Sequence, residues 1–273
     1  MAGEWDAWIG RATESSDLLP QSLIDRFCAA LDIPPRADVA PPGVHWCLAP
    51  TAAPTGQLGL DGHPPKGDLL PPIPLPRRMW AASELEFLAP LRPGTAITRV
   101  SRLTSATAKE GRSGPLAFVE LAIETRADGV LAVREEQTLV YRAAGAAMAP
   151  LPAIGARDLS NWDDVRTLTP TEPMLMRFSA LTFNAHRIHY DLPYTRGVEL
   201  YPALVVHGPL VASLLLNHAA SGFGPIASAS VRAIAPAFCG QPLHLAGRAE
   251  SGTITLRAIG GDGRTIMEGT ARC

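Results

Sequence analysis

The segment Phe178–Asp191, FSALTFNAHRIHYD, packs Asn184, His186, Arg187, His189 and Asp191 into one short run directly behind an apolar stretch. An imidazole titrates near neutral pH and can take or give a proton there. An amide or guanidinium beside it can hold water or substrate by hydrogen bonds. A second segment, Val205–Leu216, reads VVHGPLVASLLL and sets His207 and Gly208 at the start of a strongly apolar helix. The free N–H groups and positive end of such a helix stabilise negative charge developing on a carbonyl oxygen. A glycine there lets a substrate come close. One segment supplies a base and the other an oxyanion site, which together suit chemistry beside a thioester carbonyl. Each has a plain alternative: histidines that cap helix carbonyls in a solvated loop, and a glycine that only serves a tight turn.

These side chains need elements to hold them. Thr171 as N-cap and Pro173 in the first turn predict a helix with Met174, Phe178 and Leu181 on one face. A short loop then carries AHRIHYD, and a second helix runs from Gly208 to about Ala220, ended by Gly222. Gln21–Leu31 predicts another helix, with Leu23, Ile24, Phe27 and Leu31 on one stripe. Strands are expected at Trp80–Leu88, Thr95–Thr107, Leu116–Thr125 and Val130–Tyr141. A second set falls at Ala227–Ala235, Pro242–Ala249, Thr253–Ile259 and Thr265–Ala271. Asp128-Gly129 and Asp262-Gly263 mark hairpins. Pro34–Pro76 is too rich in proline and glycine for helices and reads as ordered loop over the domain surface, or a lid. Residues 144–164 read as a linker.

The two sets share a phrase. Ala89-Pro90 is followed by Gly94 and Arg102, and Ala235-Pro236 by Gly240 and Arg248 at the same offsets. With the shared order of elements this predicts a duplicated α+β unit, each an antiparallel sheet with one long helix packed against it. The halves are 1–145 and 146–273. Helix before strands, without βαβ alternation, argues against a Rossmann or barrel fold.

Composition excludes other classes. With 47% hydrophobic and 18% charged residues, the 273-residue chain is neither disordered nor fibrous. Basic residues number 24 against 26 acidic, so no basic footprint for nucleic acid exists at the level of the whole chain. Cys28, Cys47, Cys239 and Cys273 have neither zinc-site nor disulfide-framework spacing. The N-terminus lacks a signal pattern. The most apolar stretch, Ala203–Ala220, is interrupted by His207, Pro209, Asn217 and His218, which argues against a membrane helix. A cytoplasmic protein is expected. There is no GxSxG elbow and no Walker loop, and Gly222-Phe223-Gly224 runs into Pro225 instead of opening a dinucleotide fingerprint. Serine hydrolase, kinase and dehydrogenase readings fall away.

Residues Asn184–Asp191 and His207–Ser213 resemble the hydratase signature of MaoC-like (R)-specific enoyl-CoA hydratases and dehydratases, roughly D-x-N-P-x-H-x-D followed by H-G-M-L-x-A-S. The phrases FNAHRIHYD, HGPL, GRSGPLAFVEL and REEQTLVYR resemble a double-hotdog subgroup in particular. That subgroup holds the mitochondrial-type 3-hydroxyacyl-thioester dehydratases and the bacterial mesaconyl-C4-CoA and itaconyl-CoA hydratases. The resemblance implies a double hotdog, catalysis in the C-terminal half and a non-catalytic substrate- or CoA-binding N-terminal half. Asn184 stands where the signature has Asp, and His186-Arg187 where it has Asn-Pro. Asn takes no proton, so a two-base scheme loses its second member.

The expected enzyme is a hydro-lyase. His189 deprotonates the water, the backbone N–H of Gly208 holds the enolate-like thioester oxygen, and Asn184 holds water or substrate. Arg187, His186 and His207 are substrate-binding candidates, Arg187 either as a two-pronged clamp for a carboxylate or paired with Asp191 or a backbone carbonyl; Asp191 is either an orienter of His189 or a cap. Arg77, Arg78, Lys109 and Arg112 are candidates for CoA phosphates. Coenzyme A enters as part of the substrate, with no separate cofactor or metal expected, no nucleic-acid or membrane partner, and a homodimer left open. The acyl group expected is a short branched dicarboxylic one, of the itaconyl or mesaconyl type. Rival readings are a fatty-acid 3-hydroxyacyl-thioester dehydratase, a hotdog thioesterase with an acidic base, and a non-catalytic acyl-thioester binder.

Overall fold

Residues at a spacing of two along Ala117, Val119, Leu121 and Ile123 are buried while their neighbours are not, the mark of a strand covered on one face. A computed structural model describes residues 4–67, 69–111, 114–145 and 147–273. It contains β1 (Ala12–Leu18), β2 (Arg77–Phe87), β3 (Ala96–Gly111), β4 (Gly114–Ala127) and β5 (Val130–Arg142). A second series follows: β6 (Asp164–Leu168), β7 (Ser228–Ala233), β8 (Leu243–Glu250), β9 (Thr253–Gly260) and β10 (Thr265–Arg272). All lie in one antiparallel sheet, in the order β1-β3-β4-β5-β2-β7-β10-β9-β8-β6. Numbering β1–β5 as β6–β10 leaves this order unchanged when it is read from the other edge. The seam is β2 against β7, with Ala82 opposite Arg232 and Glu86 opposite Ser228.

The shared Ala-Pro phrase falls at equivalent places, between β2 and β3 and between β7 and β8. Leu88 and Ala89 both donate to the Ala132 carbonyl, and Ile234 and Ala235 both donate to that of Ile266. Gly94 and Gly240 both take positive φ, +88° and +78°. The phrase therefore repeats a conformation as well as letters.

Among the described residues, four α-helices accompany the sheet: α1 (Gln21–Leu31), α2 (Glu172–Thr182), α3 (Leu192–Gly197) and α4 (Gly208–Gly222). Every residue of α4 from Leu210 to Ala219 is buried. A helix apolar all round belongs inside a core, and α4 lies against β8, β9, β10, β7 and β2. The expectation of one long helix per half needs correction. By chain order α1 follows β1 as α2 follows β6, and α1 packs on α2. Among the described residues the first half has no counterpart of α4. Residues 34–76 stand there instead, with a buried 3-10 turn, Val44–Cys47, in the core. Proline density explains the substitution, since those residues lack the amide donors a helix needs.

Candidate active site

The end of α2 sets the site. Thr171 Oγ1 accepts from Met174 N–H at 3.4 Å and starts the helix. Phe183, at φ +51°, stops it and turns the chain. Asn184 Oδ1 then accepts from His186 N–H at 3.0 Å, which closes a turn and orients the amide with its N–H₂ left to donate. A single 3-10 turn, Arg187–His189, carries the histidine into the interior.

His189 is 7% exposed, and its Nδ1 lies 2.7 Å from the Val205 carbonyl oxygen. A carbonyl only accepts, so Nδ1 carries the hydrogen and Nε2 keeps its lone pair. Burial pushes the pKa down to about 3, with His186 adding to the effect, and the ring is a neutral base. Its face stacks on His207 at 3.5 Å between centroids. His207, 1% exposed, bonds Ser179 through Nε2 at 2.8 Å. It backs His189 and is too deeply buried for the substrate contact expected of it. His186 lies edge-on to His189 at 5.5 Å, its pKa lowered to about 3 by burial first.

Residues distant in sequence complete the cluster. His63 lies 4.0 Å from His186 between ring centroids, and its Nδ1 is 2.8 Å from Asp61 Oδ2. Four of the chain's seven histidines thus form one contiguous set. Asp61, His63 and His186 bring three ligand-type atoms within 4.8 Å of one another. His63 Nδ1 is already paired with Asp61, and the His63 and His186 rings meet at a tilt of 38°. The proline-rich stretch is an ordered loop here, and it contributes ionisable groups that its composition does not announce. An Asp-Gly-His triplet inside a proline-rich stretch was the available signal.

Gly208 opens α4 behind His207. Pro209 has no N–H, so the donors facing the helix entrance come from Gly208 and Leu210. The lack of a side chain at Gly208 serves a different purpose from the one expected. A Cβ there would lie 2.7 Å from Trp80 Cε3, so the glycine admits an indole and not the substrate. Trp80 belongs to β2 and donates its indole N–H to Ser83 Oγ at 3.1 Å.

Two cationic expectations also change. Arg187 spends its guanidinium on Asp191 Oδ2, at 3.0 and 2.7 Å, and on the Leu60 carbonyl at 3.0 Å. It offers no free fork for a carboxylate. Asp191 caps α3 through Tyr194 N–H at 3.0 Å, so it holds the loop and does not orient His189. Arg77 is buried against Glu199, bonding its carboxylate at 2.7 Å and its backbone carbonyl, and is not available to a CoA phosphate. Lys109 sits over the Phe118 ring, remote from the site on β3, and Arg112 lies outside the described residues. Arg78 remains: half-buried, on β2, it acts electrostatically on both His63 and His186.

A long antiparallel sheet over a buried helix, with a neutral imidazole beside the helix entrance, is the architecture of a hotdog fold. The family model of hydroxyacyl-thioester dehydratase type 2 matches residues 43–239. Mesaconyl-C(4)-CoA hydratase of Chloroflexus aurantiacus is 43% identical over 276 residues, covering 98% of each chain. Among solved structures, a MaoC-like dehydratase of Phytophthora capsici superposes with TM-score 0.71 at 16% identity, covering 96% of this chain and 95% of that one. A double-hotdog protein of Mycobacterium tuberculosis gives 0.56 at 13% identity, over 96% and 95%. The chain belongs to the hydroxyacyl-thioester dehydratase type 2 family and is a hydro-lyase, and its fold is that of the double-hotdog structures. No helix among the described residues is long and apolar enough to cross a membrane.

Proposed function

We propose that this enzyme adds water across the double bond of a short dicarboxylic enoyl-CoA, of the mesaconyl-C4-CoA or itaconyl-CoA type. Full-length similarity to a mesaconyl-C(4)-CoA hydratase supports the acyl group. The observation that carries the chemistry is the 2.7 Å hydrogen bond from His189 Nδ1–H to the Val205 carbonyl, which leaves Nε2 as a buried neutral base. His189 Nε2 takes a proton from water as its oxygen bonds the β-carbon. Electron density moves to the thioester oxygen, and the amide N–H groups at the start of α4 hold it. The N–H₂ of Asn184 holds the water or the acyl group. Coenzyme A enters with the substrate, and addition of water transfers no electrons, so no redox cofactor is required. Arg78, the half-buried cation beside the imidazoles, is suited to the free carboxylate of a dicarboxylic acyl group.

The test follows loss of enoyl-thioester absorbance with mesaconyl-C4-CoA, itaconyl-CoA and crotonyl-CoA. Faster turnover of a dicarboxylic substrate, lost selectively in Arg78→Met, supports the reading. Faster turnover of crotonyl-CoA, or an equal effect of Arg78→Met on all three, overturns the acyl assignment. The family match favours one second reading, dehydration of a 3-hydroxyacyl thioester by the same groups in reverse.

A further inference from the structure

The loop 59–63 of the N-terminal half is fastened onto the hydratase motif. Arg187 N–H donates to the Asp61 carbonyl at 2.8 Å, and Arg187 Nη1 donates to that of Leu60 at 3.0 Å. The loop is closed on itself by Gly62 N–H to Gly59 and Gly59 N–H to His63, both at 2.9 Å. Gly62 has φ +86°, and a Cβ there would sit 1.9 Å from the Ala185 carbonyl oxygen, so backbone lies directly on backbone. This close approach fixes His63 against His186, next to the catalytic imidazole.

The couple carried by the loop has a definite polarity. Asp61 Oδ1 accepts from His63 N–H at 3.0 Å and Oδ2 engages the ring Nδ1 at 2.8 Å. Burial works to raise the Asp61 pKa, but these two donors outweigh it and hold the carboxyl well below the usual range. The ring therefore presents Nδ1–H to a carboxylate and turns Nε2 outward. His189 has a backbone carbonyl at the corresponding nitrogen, and His207 Nδ1 is buried without a hydrogen-bond partner among the described residues. Asp61 acts on His186 as well, but His63 is the ring hydrogen-bonded to the carboxylate. It also stays 18% exposed, against 1% for His207.

We propose that Asp61–His63 is the second acid–base group of this active site, filling in space the role that Asn184 cannot fill in sequence. The proposal rests on the hydratase reading above. As water adds, its oxygen bonds the β-carbon and its proton passes to His189 Nε2. The double-bond electron pair moves onto the α-carbon and thioester, and the α-carbon then takes the proton from His63 Nε2. His189 releases its proton to solvent and His63 regains one, so the sum is one water added. The groups facing His63 are Asp61 on its own loop, His186 and His189 after α2, Arg78 on β2 and Glu199 after α3. Burial is the largest influence and lowers the His63 pKa, with Arg78 acting the same way; the Asp61 hydrogen bond and Glu199 work against them and make the charged ring accessible as the donor. The N-terminal half, implied by resemblance to be non-catalytic, then supplies a catalytic residue.

The test compares Asp61→Asn and His63→Gln with wild type on one enoyl-CoA, with thermal melts of each. For His63→Gln, kcat should fall about 100-fold or more, the scale of a lost general acid, with little change in KM. Asp61→Asn keeps the shape but removes the anion, so the alkaline limb of its kcat profile should move to lower pH. Wild-type kcat in His63→Gln, or an Asp61→Asn profile lowered equally at every pH, overturns the proposal. So does a stoichiometric divalent cation in wild type that both variants lose, since the residues would then hold metal. A wild type active only on crotonyl-CoA overturns the acyl assignment alone, because the variants are then compared on that substrate. A wild type inactive on every enoyl-CoA overturns both.

Discussion

Gly208→Ala tests how tightly the first turn of α4 is held. The added Cβ would meet Trp80 Cε3 at 2.7 Å and Cζ3 at 3.4 Å. The indole has little room to yield. Its N–H is bonded to Ser83 Oγ, which in turn bonds Glu135, and Trp46 stands edge-on at 6.3 Å. Overpacking of this kind costs about 1–3 kcal/mol, and alanine's better helix propensity returns at most about 1 kcal/mol. The net loss is roughly 0–3 kcal/mol, which for a chain of this size lowers Tm by up to about 12 °C at about 2–4 °C per kcal/mol. Displacing the amide donors by even a fraction of an ångström should also slow hydration, by about tenfold or more. Circular-dichroism melts and enoyl-thioester absorbance measure the two effects. In Gly208→Ala/Trp80→Leu the clash is gone, so the double variant should be more stable than the sum of the single changes, with a coupling of about 1 kcal/mol. A Gly208→Ala enzyme with wild-type Tm and rate, or a strictly additive pair, refutes this account of the glycine.

Replacing the base directly, His189→Ala should lower kcat at least about 100-fold while the melt stays cooperative; near-normal turnover would remove His189 from the chemistry. Arg187→Met should destabilise the docked loop and slow itaconyl-CoA and crotonyl-CoA alike, because the guanidinium serves Asp191 and Leu60; a loss confined to the dicarboxylic substrate would restore the clamp. Acid should weaken the fold. Burial depresses His186 and His189 to about 3, and lowers His63 and His207 as well. The unfolded chain therefore binds more protons below its own pKa near 6.5, and the stability present above that value is lost as pH falls toward 3. The urea midpoint should drop between pH 7 and pH 5 at constant slope, and a midpoint that holds or rises on acidification contradicts the assignment.

The parts of the fold legible in the sequence were those whose burial leaves a period. Leu116–Thr125 alternates, and α4 is bracketed by Pro209 and Gly222, so both were placed within a residue or two. Strands β1 and β6 were missed for a common reason. They form the two edges of the sheet, and all of Ala12–Leu18 is exposed, so partners define the strand and no apolar alternation does. The short helix α3 had its signals in Asp191 and Pro193, but six residues leave no period to read. In the site, the neighbours in sequence also lie together in space. Pairing of Arg187 with Asp191 or a carbonyl was one of two open readings and is the one found; the contacts of Gly208 with Trp80 and of His186 with His63 were not foreseen, since those partners lie over a hundred positions away. Contacts made when one loop docks on another are recorded only in three dimensions.

The β2–β7 seam gives this arrangement a consequence for how the chain can vary. A fragment holding only residues 146–273 would keep the whole histidine motif and α4, and so would look like a self-sufficient unit. It would nonetheless lack the indole that seats the helix entrance and the carboxylate nearest the imidazoles. Substitutions on either side of the seam act on one reaction centre, so the duplicated halves are no longer free to drift, separate or recombine as independent modules.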